Sequence, residues 1–566
     1  MTFGNNLVRF KNVFILITIT ISATYNTISA QNELFYEILE AADQRNINHP
    51  IFNRTLASND KTLQKQSLLA LGRIGKLPAT LKISPFLYSK EADLRAMAGF
   101  SLGISTEVEG HKLLTMALKS EKNSDVISKL LIAIGNLGDP SGAIASILPF
   151  LNSKNNDVVA ATCDGLSLAW TFHRDRVSVP NSTQVSRLLE LSLADAKIAE
   201  HCLFTLSRLR REPALFDLEL LAKVANNVQT DEAKLLVLRI MGAMYNPTFM
   251  SFFVEYFQNT KSSRIKAEIA AAVAFLSSEN NNTESLEAIK LIARESSSHV
   301  KVNLINALTL TEEQPALISV IESLLNDQSV WVRHQALTAL FSVQPEKMLS
   351  QLLSLIKSHT FQNQQVALTI LRQYQLQDNE KFLNILANSA HKGIKSIATR
   401  LLKNEDADAE EVVPPRKSVA ADKAYAIASK KMKIITSRGD IIIQLSQQAI
   451  FTSANFYELA KAGFYDGLSF HRVVPNFVVQ GGDPENTGQG GPGFNIREEL
   501  SQQTHTRGTV GMATSGKDTG GSQFFFNNAN NIHLNNNYTV FATIIKGIEL
   551  IDSFEVGDTI ISISDI

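Results

Sequence analysis

The chain has 566 residues, too many for one compact domain, so several separate cores are expected. Its net charge of −1 gives it no electrostatic claim as a whole on nucleic acid or an anionic membrane. With only Cys163 and Cys202 present, no disulfide framework carries the fold.

Residues 1–30 read as an export signal. Arg9 and Lys11 form a basic start, Val13–Ile21 a short apolar run, and Ile28-Ser29-Ala30 a small-residue cleavage site before Gln31. The apolar run falls short of the roughly 20 residues a spanning helix needs, so no membrane span is expected after cleavage. An uncleaved anchor is the other reading. No cysteine lies near the cut, which excludes lipid attachment there.

Residues 31–402 contain little Gly or Pro and a repeating pattern. Leu68-Leu69-Ala70-Leu71-Gly72 is echoed by Met97–Gly103 and Leu130–Gly135, with the closing glycines 31 and 32 residues apart. Further echoes begin at Asp157, Ala196, Glu232, Arg264, His299 and Trp331, and a tenth lies at Gln364. Each unit has a polar start, an amphipathic helix and a partner helix such as Ile144–Leu151 or Ile318–Leu325. A period of this length predicts an all-α solenoid of stacked helix pairs with one continuous core. Trp331-Val332-Arg333-His334-Gln335-Ala336-Leu337 is similar to HEAT repeats, which implies a surface for protein binding; spacing the following domain is the alternative role. Cys163 and Cys202 fall in these helices. Sequence leaves their pairing open, and packing as small buried hydrophobes is the expectation.

Residues 403–423 are expected to be a linker. The run Asn404–Glu411 is acidic and Pro414-Pro415 stops helix continuation. From 424 to 566 the period changes to two. Met432–Thr436 and Asp440–Leu445 flank a Ser437-Arg438-Gly439 turn, predicting a hairpin. Thr452–Lys461 is a predicted helix, capped by Thr452 or Ser453 and stopped at Gly463. Short strands follow at 468–474, 477–480, 508–513, 523–527 and 539–545. This pattern predicts a mainly-β closed barrel capped by helices. Ten Lys/Arg against thirteen Asp/Glu in Lys430–Ile566 give no support for nucleic-acid binding.

Within that domain, Phe470-His471-Arg472-Val473-Val474-Pro475-Asn476-Phe477-Val478-Val479-Gln480-Gly481-Gly482-Asp483 sets one arginine among aromatic and β-branched residues. A guanidinium keeps its charge and five donors, so Arg472 is either a structural ion-pair member or the polar tool of an apolar pocket. With Gly511–Phe526 and His533–Phe541, the segment closely resembles the cyclophilin family of peptidyl-prolyl cis-trans isomerases over about Lys430–Ile566. The resemblance implies the closed barrel and a catalytic Arg472 oriented by Gln480. It also implies a substrate site of His471, Phe477, Val478, Gly488, Ala513, Thr514, Gln523, Phe525, His533, Leu534 and Tyr538. Among these, Phe477, Val478, Phe525 and Leu534 match the pocket for the proline ring, and the backbones of Ala513 and Thr514 match the strand that pairs with the peptide. His471 is expected to pack or orient rather than transfer a proton.

Rotating an X-Pro bond crosses a barrier of about 18–20 kcal/mol but breaks no bond, so no metal or other cofactor is required. The family pattern is departed from at Val478, where many members carry Met, at His533, where many carry Trp, and at Tyr538, which replaces a His. The His533 change is expected to weaken cyclosporin binding more than peptide turnover. Two other glycine motifs, Gly488–Gly493 and Gly511–Lys517, lack the following helix that nucleotide binding needs.

The sequence therefore predicts an exported isomerase acting on proline-containing protein clients in a periplasm or cell envelope, or in a secretory lumen if eukaryotic. The helical repeats would recruit the client. The rival reading is a proline-binding scaffold without turnover, in which the solenoid is the main functional unit.

Overall fold

The computed structural model describes residues 31–138, 142–279, 282–374, 376, 378–405 and 419–566. The expected signal, the acidic run from Asp406 and Pro414-Pro415 lie outside the described residues. A helix at 31–43 is followed by helix pairs whose inner members stack in register. These are Lys61–Ile74, Ala92–Ile104, Ser124–Leu137, Asn156–Phe172, Ala196–Arg208, Asp231–Gly242, Ser263–Glu279, Ser298–Ala307, Val330–Phe341, Phe361–Gln373 and Lys392–Leu402. The last of them extends the repeat one unit beyond the ten legible in sequence. No helix among the described residues is long and apolar enough to cross a membrane.

The polar starts of the repeats are N-caps. Asp60, Asn123, Asn155, Asp195, Thr230 and Ser329 each accept a hydrogen bond from a first-turn backbone N–H through the side chain. The closing glycines allow helix contact: a Cβ on Gly135 would come within 2.0 Å of the Gly165 carbonyl oxygen. One departure from expectation concerns the cysteines. They form a disulfide between the helices Asn156–Phe172 and Ala196–Arg208, with Cα atoms 5.1 Å apart. Successive inner helices pack closely enough to bring them together, although 39 residues of sequence separate them.

A short helix, Ala421–Ile427, straddles the expected start of the second domain and packs on both parts of the chain. Tyr425 meets Phe35 and Tyr36 edge-on, and the Ala421 N–H donates to Glu40. The antiparallel sheet that follows runs in the order β3-β4-β6-β5-β7-β2-β1-β8. The strands are β1 Lys431–Thr436, β2 Gly439–Leu445, β3 Arg472–Val474, β4 Val478–Gly481, β5 Thr509–Met512, β6 Phe524–Asn527, β7 Val540–Lys546 and β8 Ile560–Asp565. Backbone bonds from Gly467 to Ile560, from Ile560 to Leu468 and from Phe470 to Asp558 close the curl. The helix Ile450–Lys461 plugs its core, where Phe456 contacts Tyr465, Phe524 and Phe541. That helix begins before the expected cap. Thr452 is inside it, and the buried Glu499 carboxylate accepts the Thr452 N–H at 2.7 Å.

The barrel does not hang free of the repeats. Contacts run from the first helices to the last: Arg45 pairs with Asp518, Arg73 donates to the carbonyls of Leu500 and Gln448, and Asn537 donates to Asn136. Further on, Asn530 donates to Glu200 and Glu232, His299 to the Phe554 carbonyl, and Gln365 to the Asn486 carbonyl. The repeat stack thus follows the barrel around, and the protein surface it contacts here is the barrel of its own chain.

Candidate functional site

The site is built from strand register. In the hairpin β3–β4, Arg472 stands directly opposite Gln480, and across β6 and β5 the same rank continues through Phe525 to Gly511. Opposed residues share a sheet face, so arginine, glutamine and aromatic ring line up on one side. Alternation sends Phe524 and Phe526 into the barrel core and leaves Phe525 on the site face. Gly511 makes room for it, since a Cβ there would lie 2.3 Å from the Phe525 ring.

Val478, Phe525 and Leu534 form a small buried apolar cluster separate from the main core, with Phe477, Ala513 and Tyr538 around it. Arg472 lies at its rim, exposed, with its guanidinium carbon 5.5 Å from the Phe477 ring centroid. The surrounding atoms still exclude enough water to lower its pKa from the ordinary arginine value. Its Nη1 donates to Gln480 at 3.4 Å, Gln480 donates to Gln523 at 3.0 Å, and Gln523 donates to the carbonyls of Gly488 and Gly490 at 2.9 Å each. The relay fixes both glutamines and ties the arginine to the Gly488 loop. Gly488 is exposed with no atom near its missing side chain, leaving the groove open there. The Ala513 N–H still pairs with the Gln523 carbonyl, and Thr514 continues half-buried past the end of β5.

Two expected residues sit differently. Among the described residues neither buried ring nitrogen of His471 has a hydrogen-bond partner, and burial lowers its pKa. His533 stands at the rim, stacked on Phe477 at 5.5 Å, with its other face against Phe204 of the repeat domain at 5.6 Å. Burial, with Arg208 next, pushes its pKa down to about 2.

The wall behind the pocket is formed by His505, which sequence reasoning missed. It stacks on Phe525 at 5.7 Å, donates from Nε2 to the Tyr538 carbonyl, and accepts at Nδ1 from Asn527. Asn531 donates to Asn527 and to the Phe477 carbonyl, joining both sides of the pocket. A lone His in a strandless loop carries no periodic signal that would have flagged it. The glycine motif ending at Lys517 begins at the end of β5 and runs into an irregular loop; its lysine donates to the Ile74 carbonyl and the next residue, Asp518, takes Arg45, so the loop serves docking.

His505 makes the pocket acid-sensitive. Burial pushes its pKa down to about 4 from an ordinary value near 6.5. A depressed folded-state pKa means stability is full above about 6.5 and is lost as pH falls toward 4, by about 3 kcal/mol. The expected result is a thermal midpoint that drops over this window, with a shallower slope in His505→Asn. An unchanged slope in that variant would move the effect to other groups.

A family model for cyclophilin type peptidyl-prolyl cis-trans isomerase/CLD matches residues 431–562. Peptidyl-prolyl cis-trans isomerase B of Bacillus subtilis is 51% identical over 109 residues, 19% of this chain and 76% of that protein. A peptidyl-prolyl cis-trans isomerase of Synechococcus elongatus is 43% identical over 131 residues, 23% of this chain and 90% of that protein. The crystal structure of a Cryptosporidium parvum cyclophilin type peptidyl-prolyl cis-trans isomerase matches with 29% identity and a TM-score of 0.23, covering 24% of this chain and 97% of that one. Through the barrel at its C-terminal end, this chain belongs to the cyclophilin-type peptidyl-prolyl cis-trans isomerase family.

Proposed function

We propose that the barrel isomerises X-Pro bonds of exported protein clients, with Arg472 as the catalytic group. The observation that carries this reading is the cross-strand pair Arg472–Gln480 at the rim of the Val478, Phe525 and Leu534 pocket. The apolar cluster holds the proline ring. As the amide twists, its nitrogen loses resonance and gains a lone pair, which the guanidinium stabilises while it binds the proline carbonyl. That interaction is stronger in the twisted state than in either planar one, which is the condition for acceleration. Gln480 and Gln523 orient the guanidinium and the peptide. The backbone at Ala513 and Thr514, past the end of β5, receives the peptide main chain, and Gly488 leaves space beside it.

Export is supported by the basic-then-apolar N-terminus and by the Cys163–Cys202 bond, since disulfides persist in oxidising compartments. The repeats would present clients to the barrel and raise the local concentration of their prolines. The test is protease-coupled isomerisation of an Ala-Pro peptide by the full chain, beside N-terminal sequencing of the cell-envelope fraction. Rates above the spontaneous reaction and a start at Gln31 are expected. No acceleration by folded protein would refute the catalytic reading, and retention of residues 1–30 would refute cleavage.

A further inference from the structure

Among the repeat helices that touch the rim of the isomerase site is Ala196–Arg208. Phe204 from this helix stacks on His533 with an interplanar angle of 20°, and His533 stacks in turn on Phe477 at 23°. The guanidinium of Arg208 lies 4.3 Å from the Phe204 ring centroid, and its charge is felt at His533, while Arg472 lies 5.5 Å from the Phe477 ring centroid. Two arginines therefore lie against this run of three rings. One belongs to the barrel and one to the repeats.

Arg208 is not an ordinary structural cation. Among the described residues its buried Nε has no hydrogen-bond partner and no carboxylate pairs with it. Burial, and after it the charges of Arg239 and Arg210, push its pKa down to about 9. Glu268 is engaged elsewhere: both its oxygens accept from Arg239 at 2.8 Å, and it also takes Asn476 at 3.2 Å. A half-buried guanidinium kept among other cations without an anion is costly unless something supplies one. The same helix is fixed in place. The disulfide at Cys202 holds it to its neighbour, and Asn530 from the pocket loop bonds Glu200. Phe204 and Arg208 thus stand beside His533 at the rim of the apolar cluster.

We propose that Phe204 and Arg208 extend the isomerase site, Arg208 binding an acidic side chain of the client within two residues of the isomerised proline. The proposal rests on the reading of the Val478, Phe525 and Leu534 cluster as the proline pocket. The repeat domain would then select substrates at the site itself, and the barrel taken without it would lack this selection.

The test uses the full chain and short peptides with Glu, Gln or Lys at each position within two residues of one proline. At one position Glu should exceed Gln by about tenfold in kcat/KM, mainly through KM, the scale of one charge-assisted hydrogen bond. Added salt of about 0.5 M should erode the difference. Arg208→Lys should keep a preference for Glu, and Arg208→Glu should transfer it to Lys. A Glu to Gln ratio near one at every position, or a ratio unchanged in Arg208→Glu, overturns the proposal while leaving the isomerase reading intact. Failure of the wild-type chain to turn over any of the peptides would overturn both.

Discussion

Replacing Arg472 by alanine is expected to lower kcat/KM on an Ala-Pro peptide by about 10²–10³-fold, the usual effect of removing one preorganised donor at a developing charge. The loss should fall on turnover, because the apolar cluster that grips the ring is untouched. Stability should change by no more than about 0.5 kcal/mol, since the side chain is exposed and its one hydrogen bond is long at 3.4 Å. Arg472→Lys should recover part of the activity: the charge remains, but the fork that addresses carbonyl and nitrogen together is lost. Peptide kinetics beside thermal melts would separate these outcomes. A variant that keeps most of its kcat with normal folding would remove Arg472 from the mechanism.

The second large effect should come from Arg73, far from the chemistry. This side chain is 3% exposed, donates to the Leu500 and Gln448 carbonyls at 2.8 Å each, and reaches the Glu499 carbonyl at 3.4 Å. Burial pushes its pKa down to about 10 even with the Glu499 carboxylate nearby. Removing it strands buried carbonyls and leaves Glu499, itself buried, without its cation. Arg73→Ala is therefore expected to cost about 3–5 kcal/mol, the scale of leaving two or three buried carbonyls unsatisfied at about 1–3 kcal/mol each. A lower thermal midpoint and faster proteolysis between the repeats and the barrel should report it. Arg45→Ala, at a more exposed pair with Asp518, should cost less. If Arg73→Ala melts like wild type, the docking seen here does not depend on that residue.

What could be read from the sequence was what lies close along the chain. Arg472 and Gln480 are eight residues apart in one hairpin, so motif and register place them together. Helix pairs showed through their spacing because each repeat packs on its immediate neighbour. His505, Phe204 and Arg208 were missed for the opposite reason, since each gains its meaning from a partner distant in sequence. Glu499 illustrates the same limit at a helix start. It supplies the bond expected of Thr452 or Ser453 from 47 residues away. The disulfide required knowing that two repeats lie side by side at one height, and β8 was passed over although it closes the curl beside Leu468.

Arrays of repeats ordinarily unravel from their ends, because a terminal unit has only one neighbour. In this chain neither end is left with a single neighbour. The opening helices are held through Glu40, Arg45 and Arg73, and the closing ones through Gln365 and Gly393, where Glu485 of the barrel approaches. The linear series thereby becomes a closed loop fastened by the enzyme it carries. Melting should follow as one cooperative event instead of progressive fraying, and a pull on either end of the repeat series would be felt in the barrel.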